Sequence, residues 1–193
     1  MAQKFGSNNI LHLACQLGKA FEERKLPYCW IGGVTVQRWA KPRQTADVDA
    51  MIFTGFGQEE SICKQLLSIY PSRVESPLEL AIQGRIVLLA DELGTGIDIS
   101  LGGLPYEERV LDRSSIWEIP DHGALKTCSA EDLVVMKAIA NRPQDWIDIE
   151  NTLIRQQKRI DRQLILSELE PLVELKEEPE ILAELKHRFS AIK

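Results

Sequence analysis

The sequence lacks the features of several large protein classes. No apolar run approaches the roughly 20 residues that a membrane-spanning helix needs. The four cysteines include no C-x-x-C pair and the three histidines are scattered, so no zinc ligand set is visible. The cysteines lie among apolar neighbours, which favours buried free thiols over disulfides. Residues 1–9 are polar and have no signal-peptide core, and we therefore expect a cytoplasmic protein without membrane contact.

The chain also lacks the excess of basic residues that a general nucleic-acid surface requires. Its formal net charge is −6 at pH 7. The charges are unevenly distributed, however, because Arg155, Lys158, Arg159 and Arg162 form a basic cluster and glutamates dominate residues 168–180. Both runs are typical of solvated helix faces, and a site for a partner such as RNA is the alternative.

The sequence does contain the pattern of an α+β domain followed by helices. Short apolar segments alternate with amphipathic helices up to Cys128, and no strand signal follows. We expect an α/β core with a small mixed sheet and flanking helices over residues 1–128, and a C-terminal helical bundle over residues 129–193. The predicted strands are Tyr28–Ile31, Val48–Phe53, Arg85–Ala90, Ile97–Leu101 and Ala124–Cys128, with Leu78–Gln83 as a further candidate.

Two aspartates stand at the start of the predicted strand Val48–Phe53. Side chains at positions i and i+2 of a strand share a face, so Asp47 and Asp49 project together. Neighbouring carboxylates repel, and a divalent cation removes the cost of burying them. Carboxylates together with substrate phosphates suit Mg²⁺, at one or two ions. Asp98, which lies inside an apolar strand, is either a third ligand and general base or an ordinary aspartate at a turn.

Gly32 and Gly33 separate the predicted strand Tyr28–Ile31 from a short predicted helix, Val34–Ala40. Without a Cβ they let a phosphate approach the backbone, and the N–H groups of a helix N-terminus face such an anion. A glycine pair alone is usually only a turn, and a D-x-D pair alone is often a surface strand end. In the order strand, glycine pair, helix, D-x-D strand and a later strand with a lone aspartate, they indicate a metal site beside a bound phosphate.

Lys137 is the only charged residue in the apolar run LVVMKAIA. On a helix it shares a face with Leu133, Val134 and Ala140, and no acidic residue stands three or four positions away. Such a lysine either extends to the surface along its apolar stem or faces an anion in a cleft. Arg43 has two open alternatives as well, a phosphate or a carboxylate partner.

The segment GGVTVQRWAKPRQTADVDAMIF resembles the signature of the DNA polymerase beta-like nucleotidyltransferase superfamily, in which a GG or GS turn precedes D-x-D or D-x-E. Arg43 and Thr45 give it the R-x-T-x-D-x-D form of the AbiEii-like branch, which includes toxins of bacterial toxin–antitoxin systems. The later segment SAEDLVVMKAIANRPQDWIDIE is similar to a second motif of that branch. Gly33 stands where many members have serine, which puts one hydroxyl contact to the phosphates in doubt.

The resemblance implies a Mg²⁺-dependent nucleotidyltransferase that moves a nucleoside monophosphate from an NTP to an acceptor and releases pyrophosphate. It implies contact of Lys137 with the triphosphate and raises Asp145 to a candidate, although acids also favour helix N-termini for electrostatic reasons. The implied metal ligands are Asp47, Asp49 and Asp98; the implied catalytic residues are these three with Lys137 and Asp145; and the implied nucleotide-binding residues are Gly32, Gly33, Arg43 and Lys137.

The acceptor stays open among RNA or tRNA, a protein hydroxyl and a small molecule such as an antibiotic. The toxin branch adds an antitoxin protein as a candidate partner. The alternative function is a non-catalytic module that keeps the nucleotidyltransferase fold and serves as a partner-binding or regulatory subunit. The presence of all three carboxylates argues against this alternative, whereas Gly33 and the acidic C-terminal region leave it open.

Overall fold

The computed structural model describes residues 6–192, so most of the predicted polar start of the chain lies outside the described part. The chain divides into two compact units. The first consists of the residues up to Val34 together with Gln44–Cys128, and the second consists of Thr35–Arg43 and the residues from Ser129 onward. The sequence did not indicate that Thr35–Arg43 groups with the C-terminal helices, and the division into domains at residue 128 stays a prediction.

The described part of the first unit contains a six-stranded mixed sheet. Its strands are β1 (Tyr28–Trp30), β2 (Asp47–Phe53), β3 (Ile86–Ala90), β4 (Gly96–Gly102), β5 (Ser115–Ile119) and β6 (Gly123–Thr127). Their order across the sheet is β3-β4-β2-β1-β6-β5. The pairs β2–β4 and β1–β6 are parallel, and the other neighbours are antiparallel. Strand β2 therefore lies in the interior of the sheet.

Helices account for most of the remaining described chain. They are α1 (Gly6–Glu23), α2 (Gly32–Trp39), α3 (Glu59–Leu67), α4 (Pro77–Gly84), α5 (Pro105–Asp112), α6 (Ala130–Ala140), α7 (Pro143–Gln156), α8 (Arg162–Lys176) and α9 (Glu180–Ala191), with a short 3-10 helix at Gln157–Arg159. Among the residues described, none of these helices combines the length and the apolar character needed to cross a membrane. The mixed sheet with helices after it confirms the predicted fold class.

The core of the first unit is a cluster of apolar side chains from the sheet and from α1, α3 and α4. Leu17 and Phe21 of α1 are fully buried with Trp30 and Ile52 of the sheet. The ring of Phe21 lies 6.0 Å from the ring of Trp30, measured between centroids. Burial of these side chains on the sheet is the main source of stability for this unit, and it gives β2 a rigid setting.

Two elements of the first unit differ from the sequence prediction. The candidate strand Leu78–Gln83 is wrong, because these residues form the interior of α4. Pro77 occupies the start of that helix, where its fixed φ and missing N–H are tolerated. Strand β5 was not predicted, because its residues are mostly exposed and give only a weak apolar pattern. The strand is stabilised by its antiparallel pairing with β6, which the local sequence does not reveal.

The second unit is helical, and α6 is in contact with α7, α8 and α9. Ser129 caps α6, since its hydroxyl accepts the N–H of Asp132 at 3.0 Å. Helix α9 buries an apolar stripe formed by Ile181, Leu185 and Phe189. Helix α6 itself is buried around most of its circumference, as its nearly continuous apolar sequence requires.

Candidate functional site

Strands β2 and β4 place the three predicted metal ligands side by side. Because the strands are parallel and in register, Asp49 lies directly opposite Asp98 and Asp47 lies opposite Gly96. Alternate residues of a strand share a face, so the three carboxylates project from one face of the sheet. One oxygen from each carboxylate lies within 4.8 Å of the others. The structure thus brings the three residues together, while their role as metal ligands stays a prediction.

Each of the three half-buried carboxylates has a polar partner in the first unit. The hydroxyl of Thr45 donates to Oδ1 of Asp47 at 3.0 Å. The backbone N–H of Gly33 donates to Oδ2 of Asp49 at 3.2 Å, which places Asp49 at the N-terminus of α2. Asp98 forms an ion pair with Arg73. These partners orient the carboxylates, and Arg73 also offsets one negative charge.

Asp98 is electrostatically suited to accept a proton. Burial raises the pKa of its carboxyl group, Arg73 lowers it in part, and the neighbouring Asp47 raises it again, so that the pKa lies above its ordinary value. A carboxylate with a raised pKa is a stronger base at neutral pH than an ordinary aspartate. The roles of Asp98 as a third metal ligand and as a general base stay predictions.

The donor set fits a hard divalent cation. All three ligand groups are carboxylates, and oxygen donors suit Mg²⁺, Mn²⁺ or Ca²⁺ rather than zinc. Two oxygens on one Mg²⁺ lie at most about 4.2 Å apart, because each Mg–O distance is about 2.1 Å. One oxygen from each carboxylate lies within 4.8 Å of the others, so side-chain rotations can bring all three within reach of one ion. Three ionised carboxylates this close together repel one another until a cation joins them.

Gly32 and Gly33 are the first residues of α2 rather than a turn that precedes it. A Cβ on Gly32 would lie 2.2 Å from Oδ2 of Asp49, and Gly32 also has a φ of +59°. A Cβ on Gly33 would lie 2.2 Å from the hydroxyl oxygen of Thr45. Serine at position 33 would therefore force the Thr45 side chain or its own to move. The phosphate-binding role of both glycines stays a prediction.

Lys137 is buried in the second unit and does not extend to the surface, since only 5% of it is exposed. Its Nζ lies 2.8 Å from Oδ1 of Asp145 and 2.7 Å from Oδ2 of Asp148. Both aspartates belong to the first turns of α7, so the partner missing from the lysine's own helix comes from the next one. The surface alternative for Lys137 is wrong, and its contact with a triphosphate stays a prediction.

Arg43 pairs with a carboxylate, which is one of its two predicted alternatives. Its Nε donates to Oδ1 of Asp148 at 2.9 Å and its Nη2 donates to Oδ2 at 2.8 Å. Gln144 adds a donor to Oδ1 of Asp148 at 3.1 Å. This two-point geometry is specific to arginine and holds the buried carboxylate in one orientation. A phosphate contact of Arg43 stays a prediction.

A cluster of ion pairs in the second unit consists of Arg43, Lys137, Arg142, Asp145 and Asp148. We call it the buried ion-pair cluster because Lys137 and both aspartates are buried, although the side chain of Arg142 is 73% exposed. Burial alone would raise the pKa of Asp145, but hydrogen bonds from Arg142 and Lys137 outweigh it and hold the pKa below its ordinary value. Burial likewise opposes the ionised form of Asp148, and hydrogen bonds from Arg43 and Lys137 hold its pKa low as well. Both carboxylates are therefore charged at neutral pH.

Arg73 is the residue of the candidate metal centre that the sequence did not reveal. It lies in an irregular segment between α3 and α4, within the letters PSRVES, where no motif or periodicity singles it out. Its position follows from a bridge between Ser72 and Leu89 that holds this segment against β3. Only the tertiary pairing of the segment with the sheet brings its guanidinium to Asp98.

Two residues of the predicted basic cluster form hydrogen bonds inside the second unit. Arg155 donates to the carbonyl oxygen that follows α2. Arg162 donates to the carbonyl oxygen of Phe189 in α9 at 2.7 Å. Both arginines thus satisfy helix C-terminal carbonyls and complement the helix dipoles. Lys158 and Arg159 are exposed, so the surface that these two offer to RNA is smaller than the sequence suggested.

Comparison with solved structures reveals similar folds. An antigenic nucleotidyltransferase-like protein from Paracoccidioides brasiliensis matches with a TM-score of 0.53 and 16% identity, over 92% of this chain and 94% of that chain. The solution structure of the antibiotic-resistance factor ANT(2'')-Ia matches with a TM-score of 0.59 and 12% identity, over 97% and 100%. The lincomycin-bound lincosamide antibiotic adenylyltransferase LnuA matches with a TM-score of 0.45 and 19% identity, over 71% and 92%.

No protein-family model and no curated protein sequence matches the chain. The likeness therefore concerns the arrangement of strands and helices, and at these identities it establishes the fold alone. The first and second of these structures match nearly the full length of the chain. This likeness does not show whether the chain belongs to the AbiEii-like branch. The chain thus has the fold of nucleotidyltransferase-like proteins, as the resemblance of its motifs predicted.

Proposed function

We propose that the chain is a Mg²⁺-dependent nucleotidyltransferase, which moves a nucleoside monophosphate from an NTP to an acceptor. The observation that carries this proposal is the carboxylate cluster of Asp47, Asp49 and Asp98 on two neighbouring parallel strands, beside the N-terminus of α2. The cluster occurs in a chain with the fold of nucleotidyltransferase-like proteins. The motif, the geometry of its carboxylates and the fold all support this proposal.

Asp47 and Asp49 would hold the ion, and Asp98 would complete the ligand set for one or two ions. Bound Mg²⁺ would neutralise the triphosphate and lower the pKa of the attacking hydroxyl group. Thr45 and Gly33 keep the first two carboxylates oriented by the hydrogen bonds described above. This orientation is present before any ligand binds, which is the condition for effective electrostatic catalysis.

The transfer itself is a substitution at the α-phosphorus of the NTP. The acceptor oxygen forms a bond to this phosphorus, the bond to the oxygen that bridges the α- and β-phosphates breaks, and pyrophosphate leaves with the bonding electrons. The acceptor hydroxyl loses its proton, and Asp98, the candidate general base, would take it. The chain's contribution is position and charge rather than covalent chemistry.

The finer assignments depend on the motifs and stay predictions. They comprise the AbiEii-like branch, a toxin role, an antitoxin partner, a cytoplasmic location, nucleotide contacts by Lys137 and Arg43, and a catalytic role of Asp145. The acceptor candidates remain RNA or tRNA, a protein hydroxyl and a small molecule. The internal use of Arg155 and Arg162 weakens the case for RNA. The name of ANT(2'')-Ia as an antibiotic-resistance factor makes antibiotics worth including among the small molecules.

The direct test is incubation of the protein with each radiolabelled NTP and Mg²⁺, together with total RNA, a protein mixture or a panel of antibiotics. We expect label transfer to one acceptor class, and loss of transfer in Asp49→Asn. Asp112→Asn, at an exposed aspartate of α5, is the matched control and should remain active. If NTP does not bind and nothing is labelled, the non-catalytic partner-binding alternative replaces this proposal.

A further inference from the structure

We propose that Arg73 controls metal loading of the candidate metal centre by serving as the counter-ion of Asp98 until a metal arrives. The inference rests on the proposed function, because it requires Asp47, Asp49 and Asp98 to bind a divalent cation. It goes further by assigning a role to a residue outside the motifs. Arg73 would be a positioning residue that acts on the metal through Asp98, and no contact with substrate is required of it.

The backbone around Arg73 is held in place against the sheet. The N–H of Arg73 donates to the carbonyl oxygen of Leu88 in β3 at 3.1 Å. The preceding Ser72 forms a bridge with Leu89, and its hydroxyl donates to the carbonyl oxygen of Val74 at 2.8 Å. The guanidinium therefore projects from a fixed point beside β4, and its ion pair with Asp98 is a feature of the fold rather than a chance surface contact.

A glycine on β4 leaves the space that the guanidinium fills. A Cβ on Gly96 would lie 3.1 Å from Nη1 of Arg73 and 3.5 Å from Cβ of Asp47. Gly96 lies opposite Asp47 in the strand pairing, so Arg73 extends over the same face of the sheet that carries the carboxylates. Its other terminal nitrogen, Nη2, pairs with Asp98. The sequence of β4 thus accommodates this arginine next to the carboxylate cluster.

Arg73 and a divalent cation compete for the same carboxylate. In the free protein the guanidinium offsets the charge of Asp98 and repels a second cation nearby. The Arg73 side chain is 38% exposed, so it has room to leave Asp98 when a metal binds. A metal that arrives with a nucleotide brings phosphate charge that compensates for the lost ion pair. Metal loading at Asp98 would therefore depend on the nucleotide.

The test measures Mn²⁺ binding to the nucleotide-free protein by electron paramagnetic resonance of the free ion. We expect Arg73→Gln to bind Mn²⁺ about tenfold more tightly or better, because it removes a positive charge beside the site. Arg73→Lys keeps the charge and should bind Mn²⁺ like the wild type. Arg24→Gln, which removes an exposed arginine of the same unit, is the matched control and should change nothing. A merely structural role for Arg73 predicts unchanged or weaker binding in the glutamine variant.

The Asp98→Asn background separates the inference from the proposed function. There the Arg73→Gln substitution should raise Mn²⁺ affinity much less, since Asp98 is no longer contested and only the weaker charge repulsion from Arg73 remains. Equal affinity of Arg73→Gln and wild type overturns the role of Arg73, and so does an increase that is equally large without Asp98. If Asp47→Asn and Asp49→Asn bind Mn²⁺ as the wild type does, the metal centre itself is wrong. If these two lose binding while Arg73→Gln matches the wild type, only the inference about Arg73 fails.

Discussion

Arg43 donates two hydrogen bonds to Asp148, from Nε to Oδ1 at 2.9 Å and from Nη2 to Oδ2 at 2.8 Å. Asp148 is only 1% exposed, and its Oδ2 also lies 2.7 Å from Nζ of Lys137. One buried carboxylate therefore joins Arg43 to α6 through the first turns of α7. The orientation of this carboxylate depends on the planar fork of the arginine.

Replacing Arg43 by lysine should destabilise the protein although the charge is kept. An ammonium group makes one contact where the guanidinium makes two, and hydrogen bonds to a charged group are worth about 1.5–3 kcal/mol each. We expect the free energy of unfolding to fall by about 1 kcal/mol or more, since Arg43 is partly exposed. Urea unfolding measures this, with the exposed Lys41→Gln as control. A fully stable Arg43→Lys protein would show that the two-point contact is unimportant.

Replacing Lys137 by methionine should lower stability strongly. The sequence alone, which shows no partner for Lys137, predicts a melting temperature that holds or rises. The structure reverses this expectation, because Asp145 and Asp148 would lose the buried cation they share. Removal of one partner from a buried ion pair costs about 3–5 kcal/mol. The test is the melting temperature of Lys137→Met, with Lys158→Met at an exposed lysine as the control. An unchanged melting temperature in Lys137→Met would rule out a stabilising role for the cluster.

The stability of the protein should fall as the pH falls below about 4, the ordinary pKa of aspartate. The pKa values of Asp145 and Asp148 are lowered in the folded state, so the unfolded chain binds protons that the folded chain does not. Their stabilising contribution is complete above the unfolded pKa and is lost as the pH passes down through the folded values. Urea unfolding between pH 6 and pH 3 should show a shallower loss for Asp148→Asn than for the wild type. Parallel curves would mean that Asp148 does not contribute.

The carboxylate cluster was predictable from the sequence, but the strand register that assembles it and the contact with Arg73 were not. The i and i+2 spacing of Asp47 and Asp49 fixes their common face, and an acid within an apolar strand draws attention to Asp98. The register that sets Asp49 against Asp98 joins two strands far apart in sequence, so no local pattern encodes it. Arg73 is missed for the same reason, since a bridge to β3 brings it to the cluster.

The buried ion-pair cluster illustrates a second limit of the sequence. Both Lys137 and Asp145 were singled out, yet the search for a partner was confined to positions three and four residues away on one helix. The contact runs from α6 to α7 across a helix–helix interface, and spacing rules for one helix do not describe such an interface. The misassigned strand within α4 has a related cause, because short apolar segments fit either a helix or a strand until their packing is known.

Serine at position 33 should destabilise this chain, although many members of the superfamily have it. The new Cβ would lie 2.2 Å from the hydroxyl oxygen of Thr45, which forces one side chain to move. Overpacking of this kind costs about 1–3 kcal/mol. Thr45→Gly removes the obstructing atoms. Gly33→Ser should therefore lower the melting temperature less in the Thr45→Gly background than in the wild type. Equal destabilisation in both backgrounds, measured by thermal melting, would show that Thr45 is not the obstacle.

The most direct test of the proposed metal centre is the affinity for NTP with and without Mg²⁺, measured by titration calorimetry on the wild type, Asp47→Asn and Asp49→Asn. The substitutions remove like charges from a repelling cluster, so both variants should stay folded. We expect the wild type to bind NTP far more tightly with Mg²⁺, and both variants to lose that dependence. Mg²⁺-dependent binding that survives in either variant would contradict the assignment of these aspartates as the metal ligands of a nucleotidyltransferase.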